Sequence, residues 1–153
     1  MNHDTKEKII REANVQNVLN KDGIAEVIIG RENQCHYPYE QYLATMGDPP
    51  WAMRIVYNET MSGVLICQRP GTGSRTHYHK DHDEWWVILK GEVKWWIEDA
   101  GVIHAQRGDI VFVPRGKRHK IRTEGEESSI RLAISPPDVP HFHPEVDPAP
   151  DDF

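Results

Sequence analysis

The sequence has few of the features that mark secreted or membrane-bound proteins. Two of its 153 residues are cysteines, Cys35 and Cys67. A chain of this length can build a core without pairing them, and their spacing matches no metal-binding motif. Cys67 lies within an apolar run, so we expect it to be a small buried hydrophobe rather than a nucleophile.

Positive charge and long apolar runs are also scarce. The formal net charge is −6, which leaves no broad basic surface for nucleic acids or anionic membranes, although a local basic pocket for a small anion is compatible with it. No apolar run approaches membrane-spanning length, and the polar residues from Met1 to Arg11 lack the apolar stretch of a signal peptide. We therefore predict a cytoplasmic protein that binds a small molecule and neither nucleic acid nor membrane.

The residues before the main β-rich region are predicted to form a helix, a strand and a loop within residues 1–52. The helix is expected over Asp4–Leu19, where Asp4 and Glu7 resemble a capping box, and the strand over Ala25–Ile29. From Arg31 to Trp51 the chain is rich in Tyr, Pro, Gly, Asn and Gln, which indicates an ordered loop with little regular structure.

Short strands with glycine turns between them dominate residues 53–135. Their close spacing favours a sandwich or barrel over alternating βαβ units. Residues 136–153 carry six prolines, so this tail is expected to wrap the outside of the barrel or stay mobile. The predicted strands are Met53–Tyr57, Gly63–Gln68, Glu84–Leu89, Glu92–Ile97, Val102–Ala105, Ile110–Val113, His119–Thr123 and Ile130–Ile134.

The most informative stretch runs from Gly71 to Gly91 and contains His77, His79 and Glu84. Two histidines two residues apart project from the same face of an extended strand, and a carboxylate follows after four residues. Imidazoles and a carboxylate that converge suit Fe²⁺, Mn²⁺, Ni²⁺, Co²⁺ or Zn²⁺. Further along, Gly108, a short apolar strand and a Pro-x-Gly turn lead to His119, which can return a third imidazole to the same centre.

Together these stretches resemble the two motifs of the cupin family, G-x5-H-x-H-x4-E-x6-G and G-x5-P-x-G-x2-H-x3-N. Every position matches except the last, where Thr123 stands in place of the usual Asn. The resemblance covers about Gly63 to Ile134. It implies an all-β jelly-roll barrel, here with a short N-terminal helix, that holds one divalent metal ion with His77, His79, Glu84 and His119. Fe²⁺ is the expected metal, and two positions of an octahedron would stay open.

Strand parity extends the prediction to residues around the metal. Side chains on the face of Glu84 and of His119 should line a substrate pocket, although simple core filling is the alternative for Trp86. These side chains are Trp86, Ile88, Ile121 and Thr123. Trp85 should point the other way, into a second layer or a subunit interface, and exposed barrel edges make a homodimer plausible.

Charged and titratable residues near the strand ends complete the candidate site. Arg54 and Tyr57 lie on opposite faces of one strand, so at most one points inward, and Arg69 is placed to pair with a substrate carboxylate or with a surface acid. Tyr57, Tyr78 and His82 are the candidate acids or bases, and His82 is also a competitor of Glu84 for the metal. The H-x-H pattern at His141 and His143 is interpreted as tail, because no further ligand follows it.

The expected function is that of a metal-dependent cupin enzyme acting on a small polar or carboxylate-bearing molecule. A non-haem Fe²⁺ dioxygenase-type reaction is the first hypothesis, and a Lewis-acid isomerase or lyase is the second. A sensing module without turnover is a third, which the acidic charge and the single predicted N-terminal helix disfavour.

Overall fold

The computed structural model describes residues 27–153. The helix predicted over Asp4–Leu19 and the first part of the strand predicted over Ala25–Ile29 lie outside these residues. The described elements are β1 (Val27–Ile28), α1 (Tyr39–Thr45), β2 (Trp51–Tyr57), β3 (Ser62–Gln68), β4 (Glu84–Lys90), β5 (Glu92–Ile97), β6 (Gly101–Gln106), β7 (Ile110–Val113), β8 (His119–Glu124) and β9 (Ser129–Ser135).

The predicted all-β jelly-roll class is confirmed. Six strands form one sheet in the order β1-β2-β3-β9-β4-β7, and three form a second sheet in the order β6-β5-β8. All pairings from β2 onward are antiparallel, whereas β1 pairs with β2 in parallel. Each of the eight strands predicted after Trp51 is present, with ends that differ by at most two residues.

The segment predicted to be an irregular loop contains the helix α1, which corrects that prediction. Helix α1 follows Pro38, whose fixed φ suits a helix start, and it ends at Met46. Tyr39, Tyr42, Leu43 and Met46 pack against the apolar outer face of the larger sheet. Their spacing of three, four and seven residues is the helical period, a signal that the turn-forming composition of the segment obscured.

The core lies between the two sheets. Trp86 and Ile88 from β4 meet Val93 and Trp95 from β5, and all four are at most 2% exposed. Because side chains alternate along a strand, the neighbours of Trp86 on the same strand face outward. Trp85 accordingly is 37% exposed, beside Phe112 and Ile110 of the edge strand β7. The homodimer that this exposed face was expected to support stays a prediction.

A second apolar cluster covers the other face of the larger sheet. Trp51, Met53, Leu65, Cys67 and Ile130 are buried there, under the residues of helix α1. Cys67 is 4% exposed, as expected for a structural thiol. No helix within residues 27–153 is long and apolar enough to span a membrane.

The segment between β3 and β4 crosses β8 at close range. Gly73 pairs with Arg122 in an isolated bridge, and Ser74 donates its backbone N–H to the Ile121 carbonyl at 2.9 Å. A Cβ atom at position 73 would lie 1.8 Å from that same Ile121 carbonyl oxygen. Glycine is therefore required here by space, and the close approach sets the direction in which the chain continues to His77.

We expect Gly73→Ala to lower the free energy of unfolding by roughly 2 kcal/mol or more, because backbone must move to admit the methyl group. Gly63→Ala is the matched control, since a Cβ there meets nothing closer than 3.5 Å, and we expect it to change stability by less than about 1 kcal/mol. Chemical denaturation of both variants checks this. Equal stability of the two variants would contradict the close approach.

Candidate metal centre

The first two histidines of the site lie on a short extended segment between the two sheets. His77 and His119 form an isolated antiparallel bridge in which each backbone N–H donates to the other's carbonyl, at 3.0 and 2.9 Å. Ser74 Oγ accepts from the Ile121 N–H two residues further along β8. These contacts join the first histidine pair directly to the strand that carries the third histidine.

The Pro-x-Gly turn brings His119 back to this segment. Lys117 donates its N–H to the Pro114 carbonyl, and Gly116, at a φ of 80°, donates its N–H to the His79 carbonyl. That positive φ favours glycine, which explains the residue type at position 116. Glu84 is the first residue of β4, so the loop after His79 returns the carboxylate to the same end of the barrel.

The four predicted ligands converge. One donor atom from each of His77, His79, Glu84 and His119 lies within 4.8 Å of the others. Each imidazole donates from Nδ1 to a backbone carbonyl at 2.8 to 3.0 Å, which leaves Nε2 for the centre of the cluster. The acceptors for His77, His79 and His119 are the carbonyls of Arg75, Pro140 and Lys117 in turn.

The residues present fit a divalent metal ion. His119 is fully buried, and its Nε2 has no hydrogen-bond partner, although a buried nitrogen normally finds one. The nearest charged atom to it is Glu84 Oε2, at 3.7 Å. A metal site with nitrogen and oxygen ligands requires buried lone pairs that face one another, and the Nε2 lone pair of His119 faces a carboxylate and two further imidazoles. In their deprotonated forms these groups would bind the ion directly.

His79 has a hydrogen-bond partner at each of its two ring nitrogens. Its Nδ1 lies 3.0 Å from the Pro140 carbonyl and its Nε2 lies 2.7 Å from Glu84 Oε2. Both partners accept, so both nitrogens must donate. Burial lowers the pKa of His79, but the hydrogen bond and the negative charge of Glu84 outweigh it and raise that pKa above its ordinary value.

The other ionisable groups of the cluster shift consistently with this arrangement. Burial opposes ionisation of Glu84, yet the close approach of His119 and the hydrogen bond from His79 hold the pKa of that carboxyl well below its usual range. Burial, together with the neighbouring His119 and His141, lowers the pKa of His77 well below the ordinary histidine value. Glu84 is thus an anion and His77 a neutral donor, which are the forms that bind metal.

The C-terminal tail, which was expected to wrap the outside of the barrel or stay mobile, also contributes to the site. Phe142 pairs with Tyr78 in an antiparallel bridge with hydrogen bonds of 2.9 and 3.0 Å. The ring centroid of His141 lies 4.9 Å from that of His77 and 4.5 Å from that of His79. Prolines bar the tail from a central strand, but the three residues between Pro140 and Pro144 are enough for a bridge at an edge.

The predicted pocket residues Trp86, Ile88 and Ile121 face the interior of the barrel. Trp86 is nearest to the centre, with its ring centroid 5.7 Å from that of His119. Ile88 and Ile121 belong to the same buried cluster, further along their strands from Glu84 and His119. The structure thus places Trp86 beside the metal ligands and the two isoleucines in the core beneath them.

Two predicted pocket residues lie at the far end of the barrel. Thr123, which stands where the family usually has Asn, is 1% exposed. Its hydroxyl hydrogen-bonds Ser129 Oγ at 2.7 Å, so this polar group has a partner within the core. Arg69 is exposed beyond the end of β3, where Gln68 pairs with Ser129. Neither side chain faces the metal ligands, because the pairing places Glu84 at the opposite end of β4.

Arg54 and Tyr57 lie on the same side of their strand, contrary to the parity argument. The register of β2 shifts between Arg54 and Val56, and this β-bulge reverses the alternation. The Arg54 guanidinium lies 4.1 Å from the centroid of the Tyr57 ring and pairs with Glu32 at 2.6 Å. The Tyr57 hydroxyl donates to the carboxylate of Asp138 at 2.7 Å.

The remaining candidate acids and bases flank the cluster rather than join it. Tyr78 points to the side opposite its neighbours His77 and His79, with its ring centroid 5.6 Å from that of Phe142. His82, the predicted competitor of Glu84, is not a member of the four-residue cluster found among residues 27–153. The missed residue is His141, whose place depends on a pairing about 60 residues distant in the chain.

Comparison with known proteins agrees with this geometry. Residues 64–135 match the model of the cupin domain. An uncharacterized protein of Aquifex aeolicus (strain VF5) is 32% identical over 84 residues, which span 54% of this chain and 67% of that protein. The chain therefore belongs to the cupin family.

Solved structures share the fold at lower identity. A conserved protein with a double-stranded β-helix domain from Klebsiella pneumoniae superimposes with a TM-score of 0.62 at 19% identity, over 74% of this chain and 94% of that one. The oxalate decarboxylase of Lactobacillus farciminis, in a formate complex, gives 0.51 at 23% identity, over 56% of this chain and 27% of that one. At these identities the likeness concerns the fold alone.

Metal binding should release a proton from the site. Below the raised pKa of His79 the ion displaces one proton from Nε2, and above it the ring is already neutral. We therefore expect the affinity to fall about tenfold for each pH unit below that pKa. Calorimetry in buffers of different ionisation enthalpy measures the release, and a smaller release is expected for Glu84→Gln at saturating metal. If the wild type and Glu84→Gln released the same number of protons, the assigned pairing of His79 with Glu84 would be contradicted.

Proposed function

We propose that this protein is a divalent-metal-dependent cupin enzyme that acts on a small polar or carboxylate-bearing molecule. The observation that carries the proposal is the buried, partnerless Nε2 of His119, directed at Glu84 within a cluster of three imidazoles and a carboxylate. Catalytic metal sites keep exchangeable positions for substrate, and a four-ligand set at an octahedral ion leaves two of them.

The charge of the loaded site supports an anionic substrate. Three neutral imidazoles and one carboxylate around a divalent ion leave a net charge of about +1 in a partly buried site. When bound, the metal would polarise a substrate oxygen or make the site reactive toward dioxygen. The protein's own residues hold the donors in place through the Nδ1 hydrogen bonds, while Trp86 gives the inner wall an apolar surface that excludes water.

Within this class, we propose a non-haem Fe²⁺ dioxygenase-type reaction as the first candidate. Imidazole and carboxylate donors bind Fe²⁺, and two adjacent open positions would admit one substrate oxygen and dioxygen side by side. An isomerase or lyase with the metal as Lewis acid is the second candidate. It is favoured by His141, whose ring lies beside those of His77 and His79 and leaves less room for two exogenous ligands.

Removal of a ligand tests the metal site itself. We expect His77→Ala and His119→Ala to weaken Co²⁺ or Mn²⁺ binding by roughly 100-fold or more, beyond the effect of losing an outer-shell partner. The matched control is His104→Ala, because His104 is an exposed histidine on β6 that pairs with Glu124 at 2.6 Å. Competition titration against a chelator gives the affinities, and thermal melts verify folding. Unchanged affinity in both ligand variants would refute the site.

Oxygen consumption separates the reaction classes. We expect the Fe²⁺-loaded protein to consume dioxygen with one member of a panel of small chelating carboxylates, and the Zn²⁺-loaded protein to consume none, because Zn²⁺ is not redox-active. An oxygen electrode and product analysis provide the measurement. Product formed without dioxygen by either metal form would favour the isomerase or lyase, and tight binding of one metabolite without turnover would favour a sensor.

A further inference from the structure

The tail segment that carries His141 is built into the metal centre rather than laid over it. The Pro140 carbonyl accepts the Nδ1–H of His79 at 3.0 Å, so one tail residue orients a ligand. The bridge between Phe142 and Tyr78 holds the next residues in register, and the Lys80 ammonium lies 4.2 Å from the centroid of the Phe142 ring. His141 is thus fixed between two tail positions that are themselves attached to the ligand segment.

The tail is anchored again beyond His141. Asp147 accepts a hydrogen bond from Thr76 Oγ1 at 2.5 Å and one from the Lys120 ammonium at 2.9 Å. Thr76 directly precedes His77 in the sequence, and Lys120 directly follows His119. Phe153 is 6% exposed, with its ring 4.7 Å from the Lys94 ammonium on the outer face of the smaller sheet. Side chains held by such contacts need little ordering when they bind an ion.

The ring of His141 is oriented as the rings of the ligands are. Its Nδ1–H donates to the Val139 carbonyl, two residues earlier, at 3.0 Å. His77 and His119 use the same hydrogen bond to the carbonyl two residues before them, at 2.8 and 3.0 Å. A proton fixed on Nδ1 leaves the Nε2 lone pair as the donor, so His141 presents the same atom as the predicted ligands.

The ring of His141 also lies close to two of the ligand rings. His141 lies 4.9 Å from His77 and 4.5 Å from His79, centroid to centroid, within the 4.2 to 5.5 Å range of the three ligand rings among themselves. No ring contact joins His141 to His119 among the described residues. His141 thus lies beside His77 and His79 but outside the group of four donors that lie within 4.8 Å of one another.

We propose that His141 is a fifth protein ligand of the metal, recruited through Nε2 from its place beside His77 and His79 when the ion binds. The proposal rests on the metal site proposed above. It completes a set of four imidazoles and one carboxylate, and at an octahedral ion this set leaves a single exchangeable position. A substrate would then bind through one oxygen atom, unless His141 dissociates to admit a second donor.

The test compares two replacements that keep the ring and remove its nitrogens. His141→Phe preserves packing against His77 and His79, and His143→Phe is the control on the same tail, with its ring 6.1 Å from His77. Co²⁺ affinity from chelator competition and the visible absorption spectrum of bound Co²⁺ are the readouts. We expect His141→Phe to lose roughly 10- to 100-fold in affinity and to change the spectrum, with His143→Phe close to the wild type.

A second variant, His141→Ala, keeps the proposal testable if His141→Phe does not fold. In His141→Ala, added imidazole should restore the wild-type Co²⁺ spectrum, whereas imidazole should leave the His143→Ala spectrum unchanged. Wild-type affinity and spectrum in both His141→Phe and His141→Ala would overturn the fifth ligand and leave the four-ligand site intact. Absence of Co²⁺ binding by the wild type would instead overturn the proposed metal site, so the two failures are distinguishable.

Discussion

The pair of backbone hydrogen bonds between His77 and His119 is the contact on which the rest of the site depends. It joins the segment after β3 to the first residue of β8, and so brings the two stretches that carry the cupin motifs together at one point. Both residues of the bridge are also candidate metal ligands. The distance between the imidazoles of His77 and His119 therefore follows from backbone pairing rather than from side-chain packing. Gly73 permits the same approach four residues earlier, where any Cβ would collide with β8.

Much of this could be predicted from the sequence, for reasons that are local. Alternation of polar and apolar residues and the glycine turns located all eight strands after Trp51, because both signals depend on residues that are close together in the sequence. The spacing of His77, His79, Glu84 and His119 identified the cluster because the fold holds these positions at one barrel end. Helix α1 shows the limit, since composition suggested a loop while four apolar residues kept the helical period.

What could not be predicted depends on contacts between distant parts of the chain. His141 reaches the site because Phe142 pairs with Tyr78, and no local pattern in a proline-rich tail specifies that partner. The β-bulge after Arg54 likewise has no simple sequence signature, yet it places that guanidinium over Tyr57 and defeats a parity argument that holds on the neighbouring strands. Thr123 lies away from the ligands because parity gives the face of a strand but not the end of the barrel, and Arg69 follows the end of β3 at that same far end.

The hydrogen bond from His79 to the Pro140 carbonyl joins residues 61 positions apart. A site with such a partner is complete only when residue 140 is in place, so an ion bound at the proposed metal site would reach its final environment only after this segment has docked. The same contact makes occupancy and docking of the tail mutually reinforcing, since whatever stabilises the orientation of His79 also stabilises the segment that orients it. Binding of an ion at the proposed metal site and docking of the tail would in this way be thermodynamically linked.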